Sequence, residues 1–277
     1  MDASKWWADW QNADHALKFD FRSAVPERIL VRDLESFNDV LLLKQSVDAN
    51  HGKLLLEVGC ATGDFYRYTR IKYPRISYCG IDVSRTAVDR ARNKYPAGKF
   101  ERVDPDWDAD AISRICGRRP DIVFSKDVVH HQVNPLEFIS RLLKLPAETL
   151  IFRTRTRDQG PTESDPEKSC QFHYDGWMPY IVVNLDELIG HVRKLMPKAE
   201  IEVWRNHMVL GGQYGRFLPK DCYVASTGTA ETAVRVAVSS NSGKLSISDR
   251  RDANPKYSVL ETLMLGIRKV TSRQRLG

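Results

Sequence analysis

The stretch that most constrains this chain covers residues 54–64 and reads LLLEVGCATGD. Its first part is an apolar run with one acid, Glu57, and such a run is typical of a parallel strand buried on both faces. Its second part contains Gly59 and Gly63, and glycine allows the backbone to turn sharply and to approach a ligand closely. Helical spacing begins at Asp64. A strand, a glycine turn and a helix together predict a site for a nucleotide-like ligand at the start of the helix.

The spacing within this turn distinguishes two kinds of nucleotide site. A dinucleotide-binding turn has the pattern Gly-x-Gly-x-x-Gly, whose third glycine would fall where this chain has Asp64. The chain instead places Glu57, Gly59, Ala61 and Gly63 at alternate positions, which resembles motif I of the class I S-adenosylmethionine-dependent methyltransferases. A carboxylate at the strand end suits that donor, because its methionine part carries an ammonium group, whereas a pyrophosphate would be repelled.

The resemblance extends over roughly residues 50–227 and implies an α/β fold. The expected architecture is a Rossmann-like, doubly wound sheet of seven strands, mostly parallel and ending in an antiparallel hairpin. Alternating patterns at residues 199–204 and 221–226 match the two strands of that hairpin. The implied cofactor is S-adenosyl-L-methionine.

These patterns divide the chain into three regions. Residues 1–50 predict an N-terminal helical cap, which covers the ligand cleft or packs on the sheet edge. Residues 51–227 form the core, in which the stretch at about 158–183 combines loop-forming and aromatic residues and indicates a lid over the site. Residues 228–277 hold nine Lys or Arg against four Asp or Glu, and they predict a basic extension. Such an extension either binds a polyanion or is simply solvated.

Several residues are predicted to bind the methyl donor. Asp82 ends the second predicted strand, and its two carboxylate oxygens can accept hydrogen bonds from vicinal ribose hydroxyls. The alternative is that Asp82 only caps the next helix. In the resembling family an acid after the third strand contacts the adenine amino group, and Asp104 matches that position. Trp107 either stacks on the adenine or packs in the core. The predicted donor-binding residues are Glu57, Gly59, Cys60, Ala61, Gly63, Asp82, Val83, Asp104 and Ser125.

Three histidines are candidate catalytic bases. His130 and His131 follow the fourth predicted strand, whose end faces the methyl group in the resembling family. His173 lies in the predicted lid. A neutral imidazole can accept the proton of a hydroxyl group, as methylation of oxygen requires. The alternative is structural, since a histidine at the position of His131 is commonly a packing residue in that family.

The end of the fifth predicted strand and the lid suggest how the acceptor binds. Arg155 and Arg157 lie on one face at the strand's carboxyl end, where guanidinium groups suit a carboxylate or phosphate on the acceptor. The alternative is an arginine face paired with the acids of residues 163–167. Tyr174 and Trp177 of the lid are further candidate contacts to the acceptor.

Composition and missing motifs narrow the function. No run of about 18 apolar residues indicates a membrane span. The five cysteines are scattered, which indicates reduced thiols in the cytoplasm and no metal site. The loop after the fourth strand lacks the Asp/Asn-Pro-Pro-aromatic motif of enzymes that methylate nucleobase amines, so a nucleic acid is not the favoured partner.

We therefore expect an enzyme that methylates an oxygen atom of a small-molecule acceptor, with an anionic acceptor suggested by the arginines. One alternative is an RNA-modifying methyltransferase that uses the basic extension. The other is a non-catalytic binding protein on the same fold. The sequence sets no oligomeric state.

Overall fold

The computed structural model describes residues 25–47, 52–173, 176–212, 215–224, 228–238, 240–253 and 261. The strands within these residues are β1 Leu54–Val58, β2 Ser77–Asp82, β3 Lys99–Arg102, β4 Ile122–Ser125, β5 Thr149–Arg157, β6 Cys170–His173, β7 Gly176–Pro179, β8 Val183–Asn184, β9 Glu200–His207, β10 Arg216–Phe217, β11 Ala230–Ala237 and β12 Leu245–Asp249. The α-helices are α1 Glu27–Leu34, α2 Asn38–Val47, α3 Asp64–Lys72, α4 Arg85–Lys94, α5 Ala109–Cys116, α6 Pro135–Leu143 and α7 Leu185–Leu195.

The main sheet confirms the predicted Rossmann-like fold. Its strands follow the order β12-β9-β11-β5-β4-β1-β2-β3, and the short β8 pairs with β5. The strands from β3 to β5 are parallel, whereas β11 is antiparallel to both β5 and β9. Two further strands therefore extend the seven that the sequence predicts: β8, and β12, which pairs in parallel with the outer side of β9.

The predicted second strand of the hairpin was wrong. Of residues 221–226 the structure describes 221–224, and these do not pair with β9; instead, Lys220–Tyr223 forms a 3-10 turn after Pro219. The partner of β9 is β11, so the sheet continues past the boundary predicted at residue 227. The alternating pattern at residues 221–226 suggested a strand. In the structure Asp221 lies in the 3-10 turn, where its carboxylate forms an ion pair with Arg157.

β1 lies in the middle of the parallel half and is buried on both faces. Leu54 and Leu56 pack with residues of α5, α6 and α7, whereas Leu55 packs with residues of α1 to α4 on the other face. This alternation is what a strand between two helical layers requires. All five residues of β1 are buried, so its end, and the turn after it, are fixed by both layers.

Side chains at the helix starts set the direction of the chain as it leaves each strand. Ser84 caps α4 by accepting a hydrogen bond from the Ala87 amide, and Asp108 caps α5 in the same way through Ala111. Pro135 occupies the first turn of α6, where its missing N–H costs nothing. Parallel pairing puts the carboxyl ends of β2, β3 and β4 at one edge of the sheet, and the helix starts fix how the loops leave that edge.

Two strands of the predicted lid, β6 and β7, form a second sheet with β10, in the order β10-β6-β7. β7 leads to Ile181, whose amide donates a 2.7 Å hydrogen bond to the His130 carbonyl in the turn after β4. The small sheet is thereby attached to the main sheet at the loop edge.

The flanking regions are described in part. Within residues 25–47, α1 and α2 pack in the hydrophobic cluster on one face of the main sheet. The tryptophans of the first ten residues lie outside the described residues. In the predicted basic extension, residues 250–253 contact the turn before α2: the Asn38 amide donates to Asp252, and the Ala253 amide donates to the Ser36 carbonyl. No helix among the described residues has the length and hydropathy needed to cross a bilayer.

Candidate active site

A cavity of about 300 Å³ opens at the carboxyl ends of the parallel strands. Most of its lining residues lie at the ends of four strands and in the loops that follow them: residues 57–65 at β1, 81–84 at β2, 103–107 after β3 and 126–132 after β4. Leu34 of α1 and Phe138 of α6 complete the wall. This is the edge at which parallel α/β sheets bind their ligands.

The turn after β1 forms the centre of the cavity wall through its backbone. Gly59 has a φ of 85°, and even Ala61 has a positive φ of 45°. The amides of Gly59 and Cys60 both donate to the Ile81 carbonyl of β2, at 2.8 and 3.0 Å. A Cβ atom at Gly59 would lie 2.2 Å from Cγ2 of Val128. Glycine is therefore required here by conformation and by space.

Asp82 links the loops after β1 and β2. Its Oδ2 accepts a hydrogen bond from the Ala61 amide and its Oδ1 accepts one from the Ser84 amide, both at 2.9 Å. Burial raises the pKa of the Asp82 carboxyl, and these amide hydrogen bonds oppose that effect. Each oxygen keeps further lone pairs for a ligand. The alternative prediction was that Asp82 only caps the next helix, but the residue that caps α4 is Ser84.

Glu57 is a buried carboxyl group on the cavity wall. The Tyr78 hydroxyl donates a hydrogen bond to its Oε2. Burial raises the pKa of Glu57 to about 8, although the hydrogen bond from Tyr78 lowers it. Without a cation beside it this group holds a proton near neutral pH, and a ligand cation would favour its ionised form.

The far end of the cavity is an apolar slot formed by Val103, Pro105, Trp107 and Phe138. Trp107 and Phe138 meet edge to face, with ring centroids 6.4 Å apart. A flat, mostly apolar slot suits an adenine ring.

Three predicted donor-binding residues do not line the cavity. Asp104 is exposed and forms a 2.8 Å ion pair with Arg102, because the chain turns after β3 so that its neighbours face the cavity instead. Ser125 is buried and its hydroxyl donates to the Val58 carbonyl at 3.1 Å, which joins β4 to β1. Gly63 adopts a left-handed conformation and caps α3. The other predicted residues, Glu57, Gly59, Cys60, Ala61, Asp82 and Val83, all line it.

The structure separates the two adjacent histidines. His131 lines the cavity, and its Nδ1 lies 2.8 Å from the Pro179 carbonyl of β7. That contact requires Nδ1 to carry the hydrogen, so in the neutral ring Nε2 is the basic nitrogen. His130 is buried outside the cavity, and burial, together with His131 and Arg155, lowers its pKa well below the usual range. His173 belongs to β6, and its side chain lies outside the described part of the chain.

The two predicted acceptor-binding arginines are buried in ion pairs rather than facing the cavity. Arg155 donates to the Tyr180 hydroxyl at 2.9 Å and to Asp127 at 3.0 Å, and it pairs with Glu231. Arg157 donates to both carboxylate oxygens of Asp221, at 2.7 and 2.9 Å. These acidic partners differ from the acids at 163–167 that the sequence suggested. The arginines hold the fold together beneath the site.

The lid residues are placed only in part. Tyr174 lies outside the described residues. Trp177 is partly exposed on the small sheet, where its ring contacts Phe172 and Phe217 at centroid distances of 5.2 and 5.3 Å. It is not among the residues that line the cavity.

Sequence reasoning missed some lining residues. Asp64 comes directly after the glycine turn, and its position at the start of a helix was a usable signal. Gln132 comes after the histidines but matches no motif. Leu34 comes from a distant helix, and nothing in its local sequence indicates that it reaches the cavity.

Comparison with known proteins agrees with this geometry. Residues 56–148, from β1 to the start of β5, match a family model described as a methyltransferase domain. The chain carries a class I methyltransferase domain. A search of curated protein sequences gave no match.

Solved structures match this methyltransferase domain and its surroundings at low identity. The N-terminal domain of EvdMO1, solved in the presence of S-adenosylhomocysteine and D-fucose, is 14% identical, with 73% of this chain and 83% of that chain covered and a TM-score of 0.50. The plantazolicin methyltransferase BpumL with S-adenosylhomocysteine is 15% identical, covering 80% and 94%, with a TM-score of 0.45. A phosphoethanolamine N-methyltransferase of Haemonchus contortus is 12% identical, covering 72% and 52%, with a TM-score of 0.48. The first of these likenesses shows the fold.

The residues of the cavity fit the methyl donor S-adenosylmethionine. Two carboxyl groups, Glu57 and Asp82, stand at adjacent strand ends and suit an ammonium group and a ribose. Gly59 lets the turn between them pass close to Val128 without a side chain in the way. The apolar slot at Trp107 is on the far side, where the adenine would lie.

Proposed function

We propose that this enzyme transfers the methyl group of S-adenosylmethionine to an oxygen atom of a small-molecule acceptor in the cytoplasm. The observation that carries the proposal is the position of His131 on the cavity wall, with its Nδ1 fixed by the Pro179 carbonyl. The cytoplasmic setting is supported by the five cysteines, all buried and free.

The cavity divides into two halves that serve different partners. The donor half consists of residues 57–64 and 82–84, and the acceptor half consists of residues 126–132. In the donor half, Glu57 would hold the ammonium group and Asp82 the ribose hydroxyls. The donor supplies a methyl group on a sulfonium centre, which is already activated toward nucleophiles. The protein therefore contributes mainly by aligning the reactants in a cavity that excludes water.

In the acceptor half, His131 would act as the general base. Its Nε2 would take the proton of the acceptor hydroxyl as the oxygen forms its bond to the methyl carbon and the carbon–sulfur bond breaks. The Pro179 carbonyl, accepting from Nδ1, keeps the ring in the tautomer that this step needs and favours the imidazolium that results.

An anionic acceptor loses its support. The guanidinium groups that suggested it, Arg155 and Arg157, are engaged by Asp127, Glu231 and Asp221. The proposal therefore keeps the small-molecule acceptor and the oxygen nucleophile without that charge.

The first measurement is the binding of S-adenosylhomocysteine by calorimetry. The enzyme is then incubated with donor that carries a tritiated methyl group, once with the small-metabolite fraction and once with the RNA fraction of a cell extract. We expect label in the small-metabolite fraction, and we expect His131→Gln to lower the rate about 100-fold or more while donor-product affinity stays unchanged. His191→Gln is the matched control, since His191 contacts Ser140 on α6 away from the cavity. Label confined to RNA, or full activity in His131→Gln, would contradict the proposal.

A further inference from the structure

Asp127 in the acceptor half has an unusual backbone conformation. It is the second residue after β4, which ends at Ser125. Its φ is 57°, in the left-handed region that non-glycine residues seldom adopt. Aspartate tolerates this conformation better than most residues, but the conformation still costs free energy that the surroundings must supply. Strain of this kind concentrates where a side chain has to be aimed in one direction.

Three cations hold the Asp127 carboxylate. Its Oδ1 accepts a 3.0 Å hydrogen bond from Nη1 of Arg155 and lies 3.5 Å from Nε of Arg153. Its Oδ2 lies 3.2 Å from Nζ of Lys126. Burial would raise the pKa of Asp127, but Lys126, Arg155 and Arg153 outweigh it and keep the pKa well below the usual range. The group is therefore a fixed carboxylate.

Asp127 and Lys126 are the members of this cluster that line the cavity. The Asp127 side chain is 39% exposed and that of Lys126 is 12% exposed, whereas those of Arg153 and Arg155 are 4% and 8% exposed. A carboxylate has about four lone-pair positions, so Asp127 can accept a further hydrogen bond from a ligand.

The sheet order places Asp127 on the acceptor side of the donor. β1 lies between β2 and β4. The residues that suit ribose and adenine come after β2 and β3, so the donor extends to that side. The loop after β4 is left for the molecule that receives the methyl group.

We propose that Asp127 is a specificity-determining residue, which accepts a hydrogen bond from a hydroxyl or ammonium group beside the methylated atom and rejects acceptors that carry an anionic group there. This inference rests on the proposed methyl transfer and names the chemistry of its acceptor: a neutral or cationic molecule with a hydrogen-bond donor next to the reacting oxygen. It replaces the anionic acceptor that the arginines had suggested.

Two donor analogues test this inference before the acceptor is known. S-Adenosylhomocysteine leaves the methyl position empty, whereas sinefungin carries a protonated amine at that position. Calorimetry gives the ratio of their dissociation constants for each variant. In Asp127→Asn, which keeps the shape and tolerates the same φ, we expect the preference for sinefungin to fall about tenfold, while S-adenosylhomocysteine binds as before. Unchanged preference would overturn the inference.

A second variant protects the test against misfolding. Lys126→Met removes the cation next to Oδ2 and should shift the preference toward sinefungin, opposite in sign to Asp127→Asn. Asp249→Asn is the matched control, because it makes the same change on the exposed end of β12. A ratio that moves in the same direction in Lys126→Met and Asp127→Asn would also overturn the inference.

The two levels of the proposal fail differently. If the unmodified enzyme binds neither analogue, the methyl-transfer proposal itself fails. If it binds both analogues and the ratio of their dissociation constants is the same in the Lys126 and Asp127 variants as in the unmodified enzyme, only the proposed role of Asp127 fails.

Discussion

The donor half and the acceptor half of the cavity lie side by side but are built in different ways. The donor half is formed by two short stretches whose backbones are held by neighbouring strands, as in the hydrogen bonds from Gly59 and Cys60 to Ile81. The acceptor half is a single loop whose charges pair with groups from distant parts of the chain. Asp127 contacts Arg153 and Arg155 of β5, and Arg153 in turn pairs with Asp252, 99 residues away.

This contrast separates a general function from a specific one. The donor half needs only a turn, a carboxyl at each of two strand ends and room for the ligand, and these are properties of local sequence. The acceptor half sets which molecule is methylated, and it depends on a balance of charges that no local stretch contains. Changes in the acceptor half should therefore alter stability and specificity together, whereas changes in the donor half should act on donor binding.

The largest effect is expected at Arg153, which is 4% exposed and pairs with Asp39, Glu231 and Asp252. Arg153→Met removes the 3.2 Å partner of the fully buried Asp39, which keeps only Lys126 at 3.4 Å, and it also removes a partner of Glu231 and Asp252. Breaking a buried ion pair by removing one partner is costly. We expect the free energy of unfolding to fall by about 3–5 kcal/mol, measured by urea denaturation.

Donor binding by Arg153→Met separates the two halves of the cavity. The fraction that remains folded should bind S-adenosylhomocysteine with nearly unchanged affinity, since the donor half has its own supports. Arg235→Met is the control, because Arg235 of β11 pairs with Glu200 and Glu202 but is 22% exposed, and its loss should cost less than about 1 kcal/mol. A similar loss of unfolding free energy in both variants would show that the ion pairs beneath the acceptor half stabilise the fold no more than an exposed pair does.

The next effect is expected where the two halves touch. Gly59 belongs to the donor half, and the space that its Cβ would occupy is taken by Val128 of the acceptor half. Gly59→Ala adds both an unfavourable φ and an overlap with Val128, so we expect a loss of about 2–3 kcal/mol in stability and much weaker binding of S-adenosylhomocysteine.

Glycine replacement elsewhere provides the control for that variant. Gly190 lies in α7, has an ordinary φ and has open space around its Cβ position. Gly190→Ala should raise the free energy of unfolding by about 0.5–1 kcal/mol, because alanine favours the helix. If Gly59→Ala were as benign as Gly190→Ala in thermal unfolding and calorimetry, the close contact between the halves would be refuted.

The two halves also differ in how far sequence reasoning reached. The positions of Glu57, Gly59 and Asp82 on the cavity wall could be predicted, because each lies at or just after the carboxyl end of a parallel strand, β1 or β2. Asp104 does not line the cavity, because the side-chain direction after a strand depends on the turn that comes next, and here Pro105 and Trp107 line it instead. Pattern alone does not give that direction.

The acceptor half was predictable only in outline. The end of β4 was expected to line the reaction centre, and Lys126, Asp127 and His131 do line the cavity. The partners of Arg155 could not be predicted, because Glu231 belongs to a strand that the sequence had placed outside the core. A buried charge needs a counter-charge, but sequence does not say which acid folds next to it.

The smallest effect on donor affinity is a pH dependence that centres on Glu57 in the donor half. Burial raises the pKa of Glu57 from 4.5 to about 8, whereas in the unfolded chain it keeps the lower value. The folded chain therefore holds a proton that the unfolded chain releases, and its stability without ligand should fall as pH rises from about 4.5 to 8. Binding of a ligand ammonium requires the ionised carboxylate, so the affinity for S-adenosylhomocysteine should rise over the upper part of that range, by about tenfold between pH 6.5 and 8.

Calorimetry in buffers of different ionisation enthalpy should show a proton released on binding at pH 7. Glu57→Gln should abolish both the proton release and the slope, whereas Asp127→Asn should leave both in place. A flat profile in the unmodified enzyme would mean that Glu57 is already ionised before the donor arrives.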